Sequence, residues 1–127
     1  MDIDTLEGRE LDAAVSEARG IHTAIRMHPH WLNEELVEAR VVGGGHKSIP
    51  SYYSDIAAAM TLWKELRAGG LETYVYEEGN GLMSFSVRRG TCQECGRHEE
   101  LSLGYFHELD ELPTAISRAY LKAKEAQ

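Results

Sequence analysis

The residues best suited to metal chemistry lie between Cys92 and His98, where two cysteines are separated by two residues. A Cys-x-x-Cys turn can present two thiolates to one tetrahedral metal ion. Together with two histidines they would form a four-ligand zinc site, Cys92, Cys95, His98 and His107. Zinc sites usually contain a second closely spaced ligand pair, which this sequence lacks. Two reduced thiols with nothing bound also explain the spacing, and we prefer that interpretation. We therefore predict no cofactor, with zinc as the alternative.

A second group of residues has the types that recognise a phosphate and a base. A lysine follows three glycines and a histidine, two tyrosines and a serine precede the predicted start of a helix, and two arginines end a predicted strand. Flexible or helix-start amides, aromatic planes and guanidinium groups are the usual partners of nucleotides. The candidate ligand-binding residues are Lys47, Tyr52, Tyr53, Ser54, Arg88 and Arg89. A structural explanation also exists, because a serine caps helices and arginines often only solubilise a sheet edge.

No group of residues has the spacing of an enzyme active site. The segment from Gly43 to Ser48 is rich in glycine, but it lacks the G-x-x-x-x-G-K-[ST] spacing of a phosphate loop. No serine, cysteine or aspartate lies in a recognised nucleophile motif. No thioredoxin-like βαβ pattern surrounds the cysteine pair. We therefore predict that the protein is not an enzyme.

The elements that position these residues must come from a chain of 127 residues, which predicts one domain spanning residues 1–127. Hydrophobic residues make up 43% of the chain, enough for a packed core. The 13 basic and 21 acidic residues give a net charge of -8, which argues against broad binding to DNA or RNA. No apolar run approaches the roughly 18 residues of a membrane span, and two cysteines do not make a secreted disulfide framework. We expect a soluble intracellular domain.

Hydrophobic periodicity predicts an α+β fold, a helix/sheet sandwich in which three helices pack on an antiparallel β-meander. The predicted helices span residues 8–19, 54–68 and 113–125, and the predicted strands span residues 73–77, 82–89 and 100–105. Trp63 and Phe85 are expected in the core between them. Apolar and polar residues alternate from Met83 to Arg88, which predicts one buried face and one wet face of the sheet.

The helix ends carry recognisable capping patterns. Asp4 and Glu7 resemble a capping box ahead of the first helix. Ser54 is predicted to cap the second helix, whose apolar stripe of Ile56, Met60 and Trp63 follows helical spacing.

Residues 21–50 fit two structures. Asn33-Glu34-Glu35 has the cap and the acids of a short helix start, whereas Val41-Val42 suits the end of a strand.

Three motifs are spread along the chain: GRELDA at residues 8–13, SYYSDIAAA at residues 51–59 and PTAISRA at residues 113–119. Together they resemble the GRELDA start, the Y-S-x-D-I-A-A-A segment and the closing P-x-A-I-x-R-A helix of the small bacteriophage ABA-sandwich domain family. One residue fewer separates Ser54 from Asp55 than in that family's pattern. The resemblance implies a helix/sheet sandwich encoded by a phage or prophage and produced in the host cytoplasm. It implies no catalytic residues.

From these observations we hypothesise a non-enzymatic phage accessory protein that binds a small nucleotide-like ligand and sequesters a nucleotide immune signal. Such sponges commonly bind between protomers, so a homo-oligomer is expected. Two alternatives stay open: an acidic protein-binding inhibitor of a host nucleic-acid enzyme, and a zinc-stabilised structural or regulatory module. A basic pocket within an acidic body favours the sponge, whereas one continuous acidic face favours the inhibitor.

Overall fold

The structure, a computed structural model, describes residues 2–21, 23–27, 34–38, 49–90 and 98–126. Its helices are α1 (Gly8–Ala18), α2 (Ile56–Ala68) and α3 (Leu112–Ala126), and its strands are β1 (Thr23–Met27), β2 (Glu34–Glu38), β3 (Glu72–Gly79), β4 (Leu82–Gly90) and β5 (His98–Phe106). Short 3-10 turns at Ile3–Thr5 and Leu109–Glu111 precede α1 and α3. The α+β class is confirmed, and each predicted helix and strand end lies within two residues of its observed position.

Strands β3, β4 and β5 form the predicted antiparallel meander, paired in that order. Asn80 and Gly81 make the turn between β3 and β4 with φ angles of 56° and 77°. Two consecutive residues with positive φ match the right-handed twist of the flanking strands, which explains the Asn-Gly pair. The pairing of β4 with β5 contains a β-bulge beside Arg88, because the register shifts by one residue after Val87.

Residues 21–50 contain a second, separate two-stranded sheet, in which β1 and β2 pair antiparallel. Glu34 and Glu35 belong to β2, so the short helix considered for this segment is wrong. The alternative strand end at Val41-Val42 lies outside the described residues.

The three helices lie on one side of the meander. α3 packs against β4 and β5, α2 against β3 and α3, and α1 against α3. Leu11, Phe85 and Ile116 are completely buried where these elements meet. Trp63 is partly buried at the border of the core, with its ring edge-on to Phe85 at a centroid distance of 5.1 Å. No helix within the described ranges is both long and apolar enough to cross a membrane.

The buried side of α2 differs from the predicted stripe. Ala59, Leu62 and Leu66 are buried, whereas Ile56 is 46% exposed. α2 packs against α3 as well as against β3, so its buried side faces both neighbours. The small side chain of Ala59 permits the close approach of α2 to α3. A periodicity that considers mainly large hydrophobic residues does not detect this role.

Both predicted helix caps are also corrected. α2 is capped by Asp55, whose Oδ1 accepts a hydrogen bond from the Ala57 N–H at 3.0 Å, and Ser54 precedes the cap. Glu7 is the residue before α1, but it makes no side-chain capping bond. Asp4 lies in the first 3-10 turn, so it cannot pair with Glu7 as a capping box.

Candidate functional site

Tyr52, Tyr53 and Ser54, predicted to contribute to a ligand site, lie at a junction between helices. Tyr52 is only 1% exposed, and its hydroxyl accepts a hydrogen bond from Arg19 Nη1 at 2.5 Å. Tyr53 is partly buried against the core, and Ser54 is exposed. A ring as buried as that of Tyr52 offers no stacking surface to a ligand, because its faces already contact protein.

The main chain around these tyrosines is held from the α1 side by two charged residues. The carboxylate of Asp12 accepts hydrogen bonds from the Tyr53 N–H at 3.0 Å and from Arg9 Nη1 at 2.9 Å. Arg9 also donates to the carbonyl groups of Ile49 and Pro50 at 3.3 Å. Burial raises the pKa of Asp12, although the bonds from Tyr53 and Arg9 act in the opposite direction.

Two hydroxyl groups of α3 hold the same segment from the other side. Thr114 Oγ1 donates to the Tyr53 carbonyl at 3.0 Å, and Ser117 Oγ donates to the Tyr52 carbonyl at 3.1 Å. We call the set of Arg9, Asp12, Thr114 and Ser117 the helical clamp. The clamp residues, and the main chain to which they bond, lie in or beside the three motifs GRELDA, SYYSDIAAA and PTAISRA. A structural role of these residues therefore explains this part of the motifs.

A second, partly buried polar cluster joins the C-terminal end of α1 to α2 and α3. Glu65 accepts a hydrogen bond from Arg19 Nε at 2.8 Å through one carboxylate oxygen and from the Tyr120 hydroxyl at 2.8 Å through the other. Burial, followed by the bond to Glu65, raises the pKa of Tyr120. These groups satisfy one another, which is the pattern of a structural network and not of a reactive site.

Most residues of the predicted zinc site, and Lys47, cannot be placed. Cys92, Cys95 and Lys47 lie outside the described residues, and only the backbone of His98 is described. His107 is exposed, and its backbone N–H donates to the Glu111 carboxylate at 3.2 Å. Among the described residues no cluster of three or more His, Cys, Asp or Glu side chains could hold a metal ion. Zinc therefore stays an untested alternative.

The face of the meander that turns away from the helices has a regular arrangement, which we call the open face. Paired residues form three rows across the sheet: Tyr76–Ser84–Tyr105, Tyr74–Ser86–Leu103 and Glu72–Arg88–Glu100. Directly opposite residues in antiparallel strands project to the same side, and the outer strands are about 10 Å apart. Tyr76 and Tyr105 are 41% and 59% exposed, so aromatic surface is accessible on both sides of the central serines.

The two serines of the open face are buried, although the strand pattern predicted a wet face. Ser84 Oγ donates to Glu78 at 2.7 Å, and Ser86 Oγ donates to Glu100 at 3.2 Å. Small side chains between large ones are covered by their neighbours, which explains burial without a second protein layer. The centre of the open face is thus formed by serine hydroxyl groups, each covered by a glutamate carboxylate to which it donates.

Arg88 lies over the aromatic side of this face. Its guanidinium carbon is 5.0 Å from the ring centroid of Tyr74 and 5.8 Å from that of Tyr76. The two rings stack with centroids 5.7 Å apart and an interplanar angle of 12°. Arg88 Nε donates to Ser86 Oγ at 3.2 Å. Cation–π contact fixes the guanidinium while its remaining N–H groups stay directed to other acceptors.

The two neighbouring arginines differ in their charge partners. Arg89 pairs with Glu99 at 3.5 Å, whereas no carboxylate among the described side chains lies within ion-pair distance of Arg88. Glu72 is nevertheless close by, since the Tyr74 hydroxyl donates to it at 2.7 Å, and this bond raises the pKa of Tyr74. Among the described residues, the open face therefore combines one cation that has no carboxylate partner, Arg88, with aromatic rings and acidic neighbours.

Arg88 was predicted to bind a ligand, whereas the aromatic residues beside it were not. Tyr74 and Tyr76 were assigned to a strand, without a binding role. The Asn80-Gly81 turn alone does not give their positions, because a β-bulge between Glu77 and Gly79 shifts the register by one residue and places Tyr74 opposite Ser86. Tyr52 and Tyr53 were predicted to share a site with Arg88 because their residue types suit the same ligand. The linear sequence does not show whether residues of suitable types lie close together in space.

No protein-family model matches this chain, and neither a curated protein nor a solved structure matches it significantly. The likeness to the phage ABA-sandwich family therefore rests on the three sequence motifs.

Proposed function

We propose that this protein is a non-enzymatic binding protein that sequesters a small nucleotide-like ligand on the open face. The observation that supports this most directly is the position of Arg88 over the stacked rings of Tyr74 and Tyr76. A nucleotide combines a planar base with an anionic phosphodiester. Aromatic rings stack on bases and guanidinium groups bind phosphate oxygens, so the open face has a partner for each part.

The exposure of the tyrosines favours a base on the outer rows and a phosphate at Arg88. Tyr105 is 59% exposed and Tyr76 is 41% exposed, so a base can stack on either ring without displacing core side chains. The Arg88 guanidinium already rests on the Tyr76 ring at 5.8 Å, which puts the cation within the length of one nucleotide. Preorganisation by the rings reduces the side-chain entropy that ligand binding would otherwise remove.

The surrounding carboxylates favour a ligand with few negative charges. Glu72 and Glu100 lie opposite Arg88 on the two flanking strands. Each further phosphate would add repulsion from these groups while meeting no additional cation among the described residues of the open face. A cyclic dinucleotide or a cyclic ADP-ribose isomer therefore fits this face better than a nucleoside triphosphate.

The motif resemblance extends this proposal to a biological role. In a phage protein of the ABA-sandwich type made in the host cytoplasm, sequestration of a cyclic nucleotide signal would counter an immune response. A homo-oligomer belongs to the same proposal, and native mass spectrometry of the purified protein reports subunit number and any retained small molecule together.

Calorimetry with cyclic dinucleotides and cyclic ADP-ribose isomers tests the site. Arg88→Gln removes a charged hydrogen bond to the ligand, which should cost about 1.5–3 kcal/mol, or roughly ten- to a hundred-fold in affinity. Arg67→Gln is the matched control, because it removes the same charge from an exposed position on α2 and should leave the affinity unchanged. Both variants should melt at the temperature of the parent protein.

Two results would contradict the proposal. One is the absence of heat with every compound together with no small molecule retained through purification. The other is an equal loss of affinity in Arg67→Gln, which would indicate attraction by overall charge without a site at Arg88.

A second candidate function is supported by the acidic residues that border the same face. β3 and β5 carry five glutamates, Glu72, Glu77, Glu78, Glu99 and Glu100. This distribution suits a basic protein surface of the kind that binds nucleic acid, as an inhibitor would require. A lysine- and arginine-rich peptide that binds strongly at low salt, and equally well to Arg88→Gln, would favour the inhibitor over the nucleotide sponge.

A further inference from the structure

A cavity of about 210 Å³ lies between α3 and the helix-facing side of β5. It is somewhat larger than the apolar cavity of about 150 Å³ that suffices to bind benzene. Gly104 forms part of its wall, and a Cβ atom built on Gly104 meets no other atom within 4 Å. The space beside Gly104 is therefore open enough for a small molecule.

Two cations of α3 border this cavity, and they differ in how they are satisfied. Lys122 Nζ pairs with Asp4 Oδ1 at 2.8 Å. Arg118 donates from Nη2 to the Leu6 carbonyl at 2.9 Å, but its Nε is buried and has no hydrogen-bond partner within the described chain. The Leu6 carbonyl is the only acceptor of this guanidinium among the described residues, so its other N–H groups can donate to an acceptor that a ligand in the cavity supplies.

The remaining lining limits the charge and the character of such a ligand. Glu111 lies at the same cavity, and together with Asp4 it balances the charges of Arg118 and Lys122. A ligand with several negative charges would be repelled by both carboxylates. Phe106 and Ala119 contribute apolar wall, which suits a small hydrophobic group.

We propose that this cavity binds a small organic monocarboxylate, whose carboxylate meets the Arg118 guanidinium and whose apolar group packs against Phe106 and Ala119. An arginine and a carboxylate form charge-assisted hydrogen bonds of matching planar geometry. The cavity opens on the helix side of the sheet, where Ser102 and Gly104 lie, and Tyr105 is the residue that it shares with the open face. Arg118 lies outside the open face, so the loss of benzoate binding in an Arg118 variant distinguishes this site from the nucleotide site.

Benzoate is the probe, and benzamide is its uncharged control of nearly the same shape. Calorimetry on the full chain should give benzoate at least about tenfold higher affinity than benzamide. Arg118→Gln should remove at least about tenfold of the benzoate affinity, and Arg67→Gln should leave it unchanged. Equal binding of benzoate and benzamide, no benzoate binding up to millimolar concentration, or an equal loss in Arg67→Gln would overturn the proposal.

Gly104→Val tests the cavity without touching a charge. Valine would fill the open space and replace glycine in a strand, so benzoate binding should be lost while the melting temperature stays level or rises. Undiminished benzoate binding by folded Gly104→Val would place the ligand elsewhere and overturn the assignment. If the valine variant unfolds, Gly104→Ala serves the same purpose, with a partial loss of benzoate affinity expected and no loss contradicting the proposal.

Discussion

The helical clamp and the open face are both hydrogen-bonded networks, but they bind different kinds of partner. In the clamp, side chains of Arg9, Asp12, Thr114 and Ser117 bond to main-chain atoms of residues 49–53. On the open face, side chains bond to other side chains, as in Ser86 with Glu100 and Arg88 with Ser86.

This difference separates what the fold needs from what a ligand can use. A buried main-chain N–H or C=O group that loses its hydrogen-bond partner remains unsatisfied, because the chain cannot expose it to water without unfolding locally. Side chains near the surface that lose a hydrogen-bond partner can bond to water or to a ligand at little cost in free energy. Substitutions in the clamp should therefore lower the free energy of unfolding. Substitutions on the open face should change it little but should weaken ligand binding.

The largest effect is expected for Asp12→Ala. The change leaves the Tyr53 N–H without its acceptor and Arg9 without its carboxylate. Urea unfolding should show a loss of about 2–4 kcal/mol in the free energy of unfolding. Asp12→Asn keeps an acceptor for the Tyr53 N–H and should lose less than half as much. An alanine variant as stable as the parent would show that the clamp does not determine the stability of the fold.

The same pair of variants tests the pKa of Asp12. Because burial raises this pKa, the folded chain binds the Asp12 proton more tightly than the unfolded chain does. The contribution of Asp12 to the free energy of unfolding is therefore largest at acidic pH and declines as pH rises from the ordinary value of 3.8 through the raised one. Asp12→Asn should lack this decline, and an unchanged pH dependence would contradict the assignment.

A smaller effect distinguishes two buried serines, one in each network. Ser117→Ala removes the bond to the Tyr52 carbonyl and should cost about 1–2 kcal/mol by chemical denaturation. Ser86→Ala should cost less than about 0.5 kcal/mol, because Glu100 and Arg88 can turn to water. Equal costs would show that the two networks contribute alike to stability, which would contradict the distinction between the clamp and the open face.

The smallest effect concerns the ionisation of Tyr74. Its hydrogen bond to Glu72 raises its pKa above the ordinary value of 10.0. Glu72→Gln should therefore lower the Tyr74 pKa towards that value in an NMR titration of the ring, whereas Glu99→Gln, which alters the partner of Arg89, should not. Glu72→Gln should also lower the free energy of unfolding slightly at neutral pH, because the bond to the neutral Tyr74 hydroxyl is fully present below the ordinary pKa of 10.0 and is lost only as pH rises through the raised one.

The sequence predicted the elements well because their signals are local. The alternation along β4, the Asn80-Gly81 turn and the apolar spacing of α3 each depend on a few neighbouring residues. Ile116 and Tyr120 are four residues apart in α3, and both are buried.

The errors arose where several elements meet. Asp55 and Ser54 are both residue types that cap helices well. Which of them is the cap depends on the residue at which α2 begins. The exposure of Ile56 depends on the packing of α2 against α3. Tyr52 and Tyr53 had suitable chemistry for a ligand, but their contacts with α1 and α3 come from residues more than 30 positions away. The faces of Tyr74 and Tyr76 depend on the β-bulge between Glu77 and Gly79, which the Asn80-Gly81 turn does not predict.

The acidic borders of the meander also bear on aggregation. Within the described chain no strand pairs with the outer edges of β3 and β5, and such edges are natural templates for another molecule's strand. Glu77 and Glu78 lie near one end of β3, and Glu99 and Glu100 near one end of β5. When two copies approach edge to edge, these like charges oppose each other, in keeping with the net charge of -8. The same carboxylates that border the open face thus protect the sheet from growing into a fibre.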